Sequence, residues 1–330
     1  MKKRFFSTIL ACVMAIGVAT ACKNLPDNGD ITVYMPDGAP AIAFAQMMKN
    51  DVENDGVSYR VVDNKFIAEK VTGRMKNNAD LCVLPLTTAT QHLGDGEKYQ
   101  MVGAVTHGNL YIISKDNTLS FTAQNLADLK GKTVGVLQLK ATPGLIFKTV
   151  LQKYGIAYST EPSDNAVCLQ TLSSAAQIPT MEENGVDIFV LAEPAVTAQK
   201  GKGWYSVGDL QALYGEGGYP QAVLVAKNSV IAENGEWLNG FLAALQSSAA
   251  VATTLGGEEI VSTITAHLED STYSTSLKPA LLTEAALARC GIRFEYTAAC
   301  KQKTAAFLTA ANAVDGVQAV LPNEDFYWLD

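Results

Sequence analysis

Only three histidines occur in 330 residues, His92, His107 and His267, and no two share the short spacing of a zinc-binding helix. None of the six cysteines forms a CxxC pair. The familiar zinc patterns are therefore excluded, and neither a metal nor a cofactor is expected. No GxSxG elbow occurs, so a serine-hydrolase nucleophile has no sequence support. Gly131-Lys132-Thr133 imitates the end of a phosphate-binding loop, but Leu126 stands where that loop needs glycine, and the tripeptide precedes a strand. Dense basic runs end at Arg4, the net charge is −8 and the isoelectric point is about 5.0. Nucleic acid is accordingly not an expected partner. No repeat of fixed period appears, which excludes a solenoid. The hydrophobic share of 48% and charged share of 18% are ordinary, and rule out disorder, collagen and coiled coil.

The N-terminus carries an address. Met1-Lys2-Lys3-Arg4 is basic, and Phe5 to Ala21 then runs 17 residues without a charge. Ala19-Thr20-Ala21-Cys22 follows. A short apolar core, basic before and small-residued after, reads as a signal peptide over 1–21. It is shorter than the roughly 20 residues that span a bilayer. The pattern resembles a bacterial lipobox, with Cys22 as the lipidated mature N-terminus; Ala19 departs from the usual Leu or Val. Ordinary cleavage nearby, with Cys22 lost or free, is the other reading. Residues 22–30 are a polar tether. No later apolar run approaches 18 residues, so no further membrane span is expected.

Cys82 and Cys168 are expected as buried free thiols. Cys290 and Cys300 flank a short segment; in an oxidising compartment they either pair as a disulfide or stay free.

From residue 31 onward strands and helices alternate. Strands are expected at 31–35, 57–62, 80–84, 101–106, 110–113, 133–137, 186–191, 204–207 and 222–226. Helices are expected at 41–50, 68–76, 87–92, 145–154 and 177–184, and in the Ala- and Leu-rich last third at 233–254, 256–268, 283–290 and 300–314. Repeated βαβ units with Gly/Pro turns point to parallel sheets covered by helices. The expected division is one α/β lobe from 31–113 with 223–330 and a second from 114–222, with crossings near Ile113-Ser114-Lys115 and Tyr219 to Val223.

In open α/β sheets ligands sit beyond the strands' carboxyl ends, against helix N-termini. The turns there are Pro36-Asp37-Gly38-Ala39-Pro40, Pro85-Leu86-Thr87-Thr88, Lys140-Ala141-Thr142-Pro143, Ala192-Glu193-Pro194 and Gly218-Tyr219-Pro220-Gln221, with His107-Gly108-Asn109 beside them. The candidate ligand-binding residues are Asp37, Gly38, Ala39, Pro40, Leu86, Thr87, Thr88, His107, Asn109, Ala141, Thr142, Glu193 and Tyr219. Taken singly, each glycine or proline also serves as a turn and each threonine as a cap. Their weight lies in the set.

The Cys22 region and Tyr34-Met35-Pro36-Asp37-Gly38-Ala39-Pro40 carry a resemblance that continues along the chain. Ala79-Asp80-Leu81-Cys82-Val83-Leu84-Pro85, Leu129-Lys130-Gly131-Lys132-Thr133-Val134-Gly135-Val136, Gly185-Val186-Asp187-Ile188-Phe189-Val190, Glu193-Pro194 and Pro322 to Tyr327 follow in order. The chain resembles the substrate-binding lipoproteins of bacterial ABC importers, in the nitrate/sulfonate/taurine and thiamine-precursor group. That resemblance implies an α/β, type II periplasmic-binding-protein fold: two lobes, two strand crossings and a helical C-terminal part on the first lobe. It implies no catalytic residue. It implies a monomer on the outer face of the cytoplasmic membrane, or in the periplasm, that hands a small molecule to a permease and its ATPase.

Glu193 favours an amine or protonated heterocycle, and no arginine appears in the turns to hold a doubly charged anion. Tyr34, Tyr111 and Tyr219 are candidates to stack on a ring. The ligand expected is a small nitrogen-containing nutrient, such as a pyrimidine thiamine precursor. The rival is an exported enzyme on the same fold with His107 or Glu193 as base; a ligand-reporting receptor is a third reading.

Overall fold

The computed structural model describes residues 31–50, 56–73, 79–215, 217–314 and 320–329. The signal segment, the tether and Cys22 lie outside the described residues, as do residues 74–76 of the second expected helix. Among the described residues the strands in chain order are β1 Ile31–Pro36, β2 Val57–Val62, β3 Leu81–Pro85, β4 Tyr99–His107, β5 Leu110–Ser114, β6 Thr133–Leu137, β7 Tyr158–Ser159, β8 Val167–Leu172, β9 Ile188–Ala192, β10 Tyr205–Asp209, β11 Pro220–Lys227 and β12 Ile292–Tyr296. They form two six-stranded sheets, ordered β12-β4-β11-β3-β1-β2 and β10-β5-β9-β6-β8-β7.

The apolar runs explain the central strands. Leu81 to Leu84 of β3 and Ile188 to Leu191 of β9 are wholly buried. Strands covered on both faces by helices show such continuous runs instead of alternation. β1 pairs in parallel with β2 and β3, and β6 with β8 and β9. The sheets are nonetheless mixed, where parallel sheets were expected. β5 runs against β9, and β11 against both β3 and β4. Each of these strands arrives from the other sheet. It enters at the edge where neighbouring strands end, and so runs backwards relative to them.

The crossings differ from the expectation. β4 is still in the first sheet at His107, opposite Pro220, and β5 is already in the second at Leu110, opposite Ala192. The first crossing is therefore Gly108-Asn109, and Leu110 to Ile113 sit in the second sheet. A Cβ on Gly108 would stand 2.5 Å from the Tyr219 ring, so only glycine fits. The second crossing leaves the helix Leu210–Tyr214 through Gly215, Gly217 and Gly218, whose φ values of 84°, 75° and 90° suit glycine alone. β11 then starts at Pro220.

The helices Gly235–Val251 and Gly257–Ala266 pack around the helix Ala45–Asn50, on one side of the first sheet. The long helix expected at 233–254 is broken at Asn234, whose φ of −134° ends a separate helix Asn228–Glu233. The helix Thr297–Asn312 lies on β4 and β11 and also meets the helix Thr142–Lys153 beside the second sheet. One apolar cluster thus runs from Leu84 through Tyr219 and Phe307 to Val136 and Val190. Tyr219 is fully buried and stacks on Phe307 at 5.7 Å. Burying rings of this size stabilises the fold by roughly 2–3 kcal/mol each, so the region behind the crossings is packed as core.

Cys290 and Cys300 are both buried free thiols and no bond joins them; Cys82 and Cys168 are likewise free. The strand β12 lies between the pair. Four steps of about 3.3 Å along it exceed the 4.4–6.8 Å Cα separation a disulfide needs.

Candidate functional site

The carboxyl ends of both sheets face a single cleft of about 860 Å³. Its first wall begins where β1 ends. Asp37 is buried, and its carboxylate accepts hydrogen bonds from Tyr273 Oη (3.0 Å), Thr275 Oγ1 (2.6 Å), Ser276 N (2.7 Å) and Ser276 Oγ (2.7 Å). Burial and then the Asp37 charge push the Tyr273 phenol up, which keeps it a donor. Asp37 therefore pins the 273–276 loop to the sheet, and its charge is engaged by that loop. Gly38 follows at φ 108° and opens the helix Ala39–Ala43. β3 ends at Pro85, the start of the helix Leu86–Leu93; Thr87 and Thr88 face the cleft, while Leu86 turns into the core. Asp63, Asn64 and Lys65 after β2 complete this side. The Lys65 amide and then its ammonium, 3.0 Å away, hold the Asp63 carboxyl below its usual range.

The second wall comes from β6 and β9. Gln138 follows β6 at φ 48°, a left-handed conformation unusual for a residue with a side chain. Ala141 and Thr142 then open the twelve-residue helix Thr142–Lys153. Neither this helix nor Leu86–Leu93 has a side chain capping its N-terminus. Their first-turn amides and the positive ends of their dipoles are left for another acceptor.

Glu193 lines the cleft after β9, yet its side chain is 0% exposed and its charge is already engaged. It accepts hydrogen bonds from Thr197 N (3.0 Å) and Thr197 Oγ1 (3.2 Å), and lies 3.1 Å from Arg289 Nε. Arg289 comes from the segment before β12, sits 4.0 Å above the Tyr111 ring and donates to Ser206 Oγ at 3.2 Å. The expectation that Glu193 offers a free carboxylate to an amine is corrected on this ground.

Thr106, Asn109, Gln221 and Ala222 form the floor, where the chain crosses between sheets. His107 is not in the cleft. It is buried behind it, with Nε2 3.1 Å from Glu295 Oε2. Burial lowers its pKa, while the His107 hydrogen bond and Arg293 hold Glu295 down at about 2. Tyr219 faces the core and donates to Gln211 Oε1 at 3.1 Å. Tyr34 donates to Glu269 Oε1 and Tyr111 lies beneath Arg289. None of these tyrosines lines the cleft, and among the described residues no aromatic ring does.

Asp37, Gly38, Ala39, Pro40, Thr87, Thr88, Asn109, Ala141, Thr142 and Glu193 thus meet at one cleft; Leu86, His107 and Tyr219 do not. Sequence reasoning missed Gln138, Gln221 and the Asp63-Asn64-Lys65 turn. The turn was discoverable, because it follows the expected strand 57–62 directly. Gln221 shared a turn with Tyr219, and the choice between them depends on which way each side chain faces.

Two α/β bodies, two crossings and a cleft at the strand ends define a periplasmic-binding-protein-like fold. The chain belongs to the NMT1/THI5-like family, whose pattern matches residues 55–254. An ABC transporter structure from Parabacteroides distasonis superposes with a TM-score of 0.67 at 20% identity, covering 91% of this chain and 99% of that one. The periplasmic aliphatic sulphonate binding protein SsuA of Escherichia coli gives 0.65 at 15% identity, covering 91% and 92%. The periplasmic nitrate-binding protein NrtA of Synechocystis PCC 6803 gives 0.57 at 13%, covering 88% and 82%. A comparison with curated proteins returns no match.

Proposed function

We propose that this chain is an exported solute-binding protein that captures a small organic molecule between two lobes and passes it to an ABC-type permease driven by an ATPase. The lobes are 31–107 with 220–329, and 110–214, hinged at the two crossings. The observation that carries this reading is the cleft of about 860 Å³ lined from both sheets. A ligand favours closure only through contacts it gains in the closed state, and a site walled by both lobes supplies them. Micromolar capture corresponds to about −8 kcal/mol, within reach of several directional hydrogen bonds.

The ligand we propose is a small, aliphatic, nitrogen-bearing solute with a singly charged oxyanion at one end. The lack of aromatic lining among the described residues argues against a stacked pyrimidine. The uncapped amides of Leu86–Leu93 and Thr142–Lys153 suit a sulfonate or carboxylate. The names of the SsuA and NrtA relatives, sulphonate- and nitrate-binding, point the same way. Of the bases of the enzyme alternative, His107 is buried behind the cleft and hydrogen-bonded to Glu295, and Glu193 is held in an ion pair with Arg289, which favours binding over turnover. The N-terminal signal and Cys22 support export and a lipid anchor to the membrane, with the protein acting as a monomer.

Native mass spectrometry and calorimetry with taurine test this. One taurine bound per chain and recovered unchanged supports the reading. Chemical conversion of the probe would overturn it in favour of an enzyme.

A further inference from the structure

A buried polar atom without a partner is uncommon in a folded protein, and two such atoms belong to residues that line this cleft. They are Asn109 Oδ1 and Gln221 Oε1. Both are side-chain carboxamide oxygens, so both are acceptors.

The orientation of Asn109 is fixed by its neighbours. Its main-chain carbonyl accepts from Glu193 N at 3.0 Å, and its Nδ2 donates to the Glu193 carbonyl at 3.3 Å. A flipped amide would set two oxygens against each other, so Oδ1 is the atom left over. Asn109 is 5% exposed, and Glu193 is itself clamped by Thr197 and Arg289. The acceptor is thus held by packed, hydrogen-bonded groups before any ligand arrives.

Gln221 is aimed by the backbone. The register of β11 against β4 slips between Pro220 and Ala222, and Gln221 is the residue at the slip. Such irregularities re-aim a side chain. Asn109 occupies the first crossing and Gln221 follows the second, so the two carboxamides stand where the lobes join.

We infer that Asn109 and Gln221 are the specificity-determining pair of the cleft, and that they read N–H donors on a primary amino group of the ligand. This rests on the solute-binding reading and deepens it. The cleft then divides its labour: helix-end amides take the acceptor-rich end, and the two carboxamide oxygens take the donor-rich end. A solute without N–H groups leaves both oxygens dry and unpaired, which is how a hydrogen-bonding site rejects an analogue that lacks the partner group.

The test compares taurine with ethanesulfonate, which keeps the oxyanion and drops the amine. The wild-type chain should prefer taurine by at least about tenfold, equivalent to about 1.4 kcal/mol. Gln221→Met, similar in length, removes one orphan acceptor. It should weaken taurine at least about fivefold and leave ethanesulfonate within about twofold. It should also leave the ligand-free melting temperature unchanged or raised, because removing an unpaired buried acceptor relieves a cost. A structural role would instead lower it.

Equal preference for taurine in Gln221→Met and wild type would overturn the inference and leave the binding reading standing. So would a fall in the ligand-free melting temperature of Gln221→Met. Wild-type protein that binds neither probe would overturn the ligand reading and the inference together.

Discussion

Arg289→Met is the sharpest perturbation the structure offers. Arg289 reaches from the segment before β12 to three groups attached to the second sheet: Glu193, Tyr111 and Ser206. Removing one partner of a buried ion pair costs about 3–5 kcal/mol, because the other charge is stranded. Arg289 is 37% exposed, and Glu193 keeps both bonds from Thr197, so the ion-pair loss should be nearer about 2 kcal/mol. Losing the cation over Tyr111 adds about 0.5–1 kcal/mol, and the Ser206 hydrogen bond about 0.5–1 kcal/mol. The expected destabilisation is about 3 kcal/mol, read as a fall in urea midpoint at constant slope. The double variant Glu193→Gln/Arg289→Met removes the stranded charge and keeps an acceptor for Thr197. It should recover at least about 1.5 kcal/mol relative to the sum of the single variants. An Arg289→Met loss under about 0.5 kcal/mol, or strictly additive variants, would refute the view that this pair ties the two bodies together.

Gln138→Gly should relieve the left-handed backbone at φ 48° and stabilise the free protein by about 1 kcal/mol, while loosening ligand binding because a cleft side chain is gone; urea titration and calorimetry read the two effects separately. Acid should weaken folding through the pair behind the cleft. Glu295, held at about 2 against an ordinary 4.5, contributes stability above about pH 4.5 that is lost as pH falls towards 2. His107, lowered by burial, acts with the same sign as pH falls below about 6.5. Glu295→Gln should flatten the decline between pH 4.5 and 2, and an unchanged profile would remove this pair as its source. Cys22→Ala should move the protein from the membrane fraction to the soluble one, and an unchanged membrane fraction would sink the anchor.

The elements were largely legible because their boundaries carry turn chemistry. β2 and β6 occupy the expected residues, bounded by Gly56 and Asp63 and by the Gly131 turn. β12 was missed because Ile292-Arg293-Phe294-Glu295-Tyr296 is a short edge strand, with two charges among its residues. β8 was missed because Gln170 and Thr171 interrupt its apolar run. Which loops meet at the cleft was legible too, since strand ends and helix starts point to one edge of each sheet. Which way a side chain faces was not. Tyr219 and Gln221 share a turn, and only the β11 register sends one to the core and the other to the floor. Arg289 was invisible for another reason. It lies 96 residues from Glu193 in sequence and meets it only through tertiary packing.

The carboxylates teach the same point about recognition. An acidic residue at a strand end reads, in one dimension, as a charge waiting for a ligand. In the fold each of the three on the cleft wall has internal partners: Asp37 the 273–276 loop, Asp63 Lys65, and Glu193 both Thr197 and Arg289. The polarity left without an internal partner is neutral: helix-end amides and carboxamide oxygens. Neutral groups act through direction and short range, so long-range attraction should matter little. Raising salt from about 0.01 M to about 1 M shrinks the Debye length from about 30 Å to about 3 Å. Taurine affinity should change by less than about threefold across that range. A site that relied on an exposed carboxylate would lose attraction for the amine steeply, because exposed charges are screened first. A tenfold or greater loss, measured by calorimetry at constant pH, would show that an exposed charge on the cleft wall, a carboxylate or the Lys65 ammonium, carries the recognition, and would refute the neutral reading.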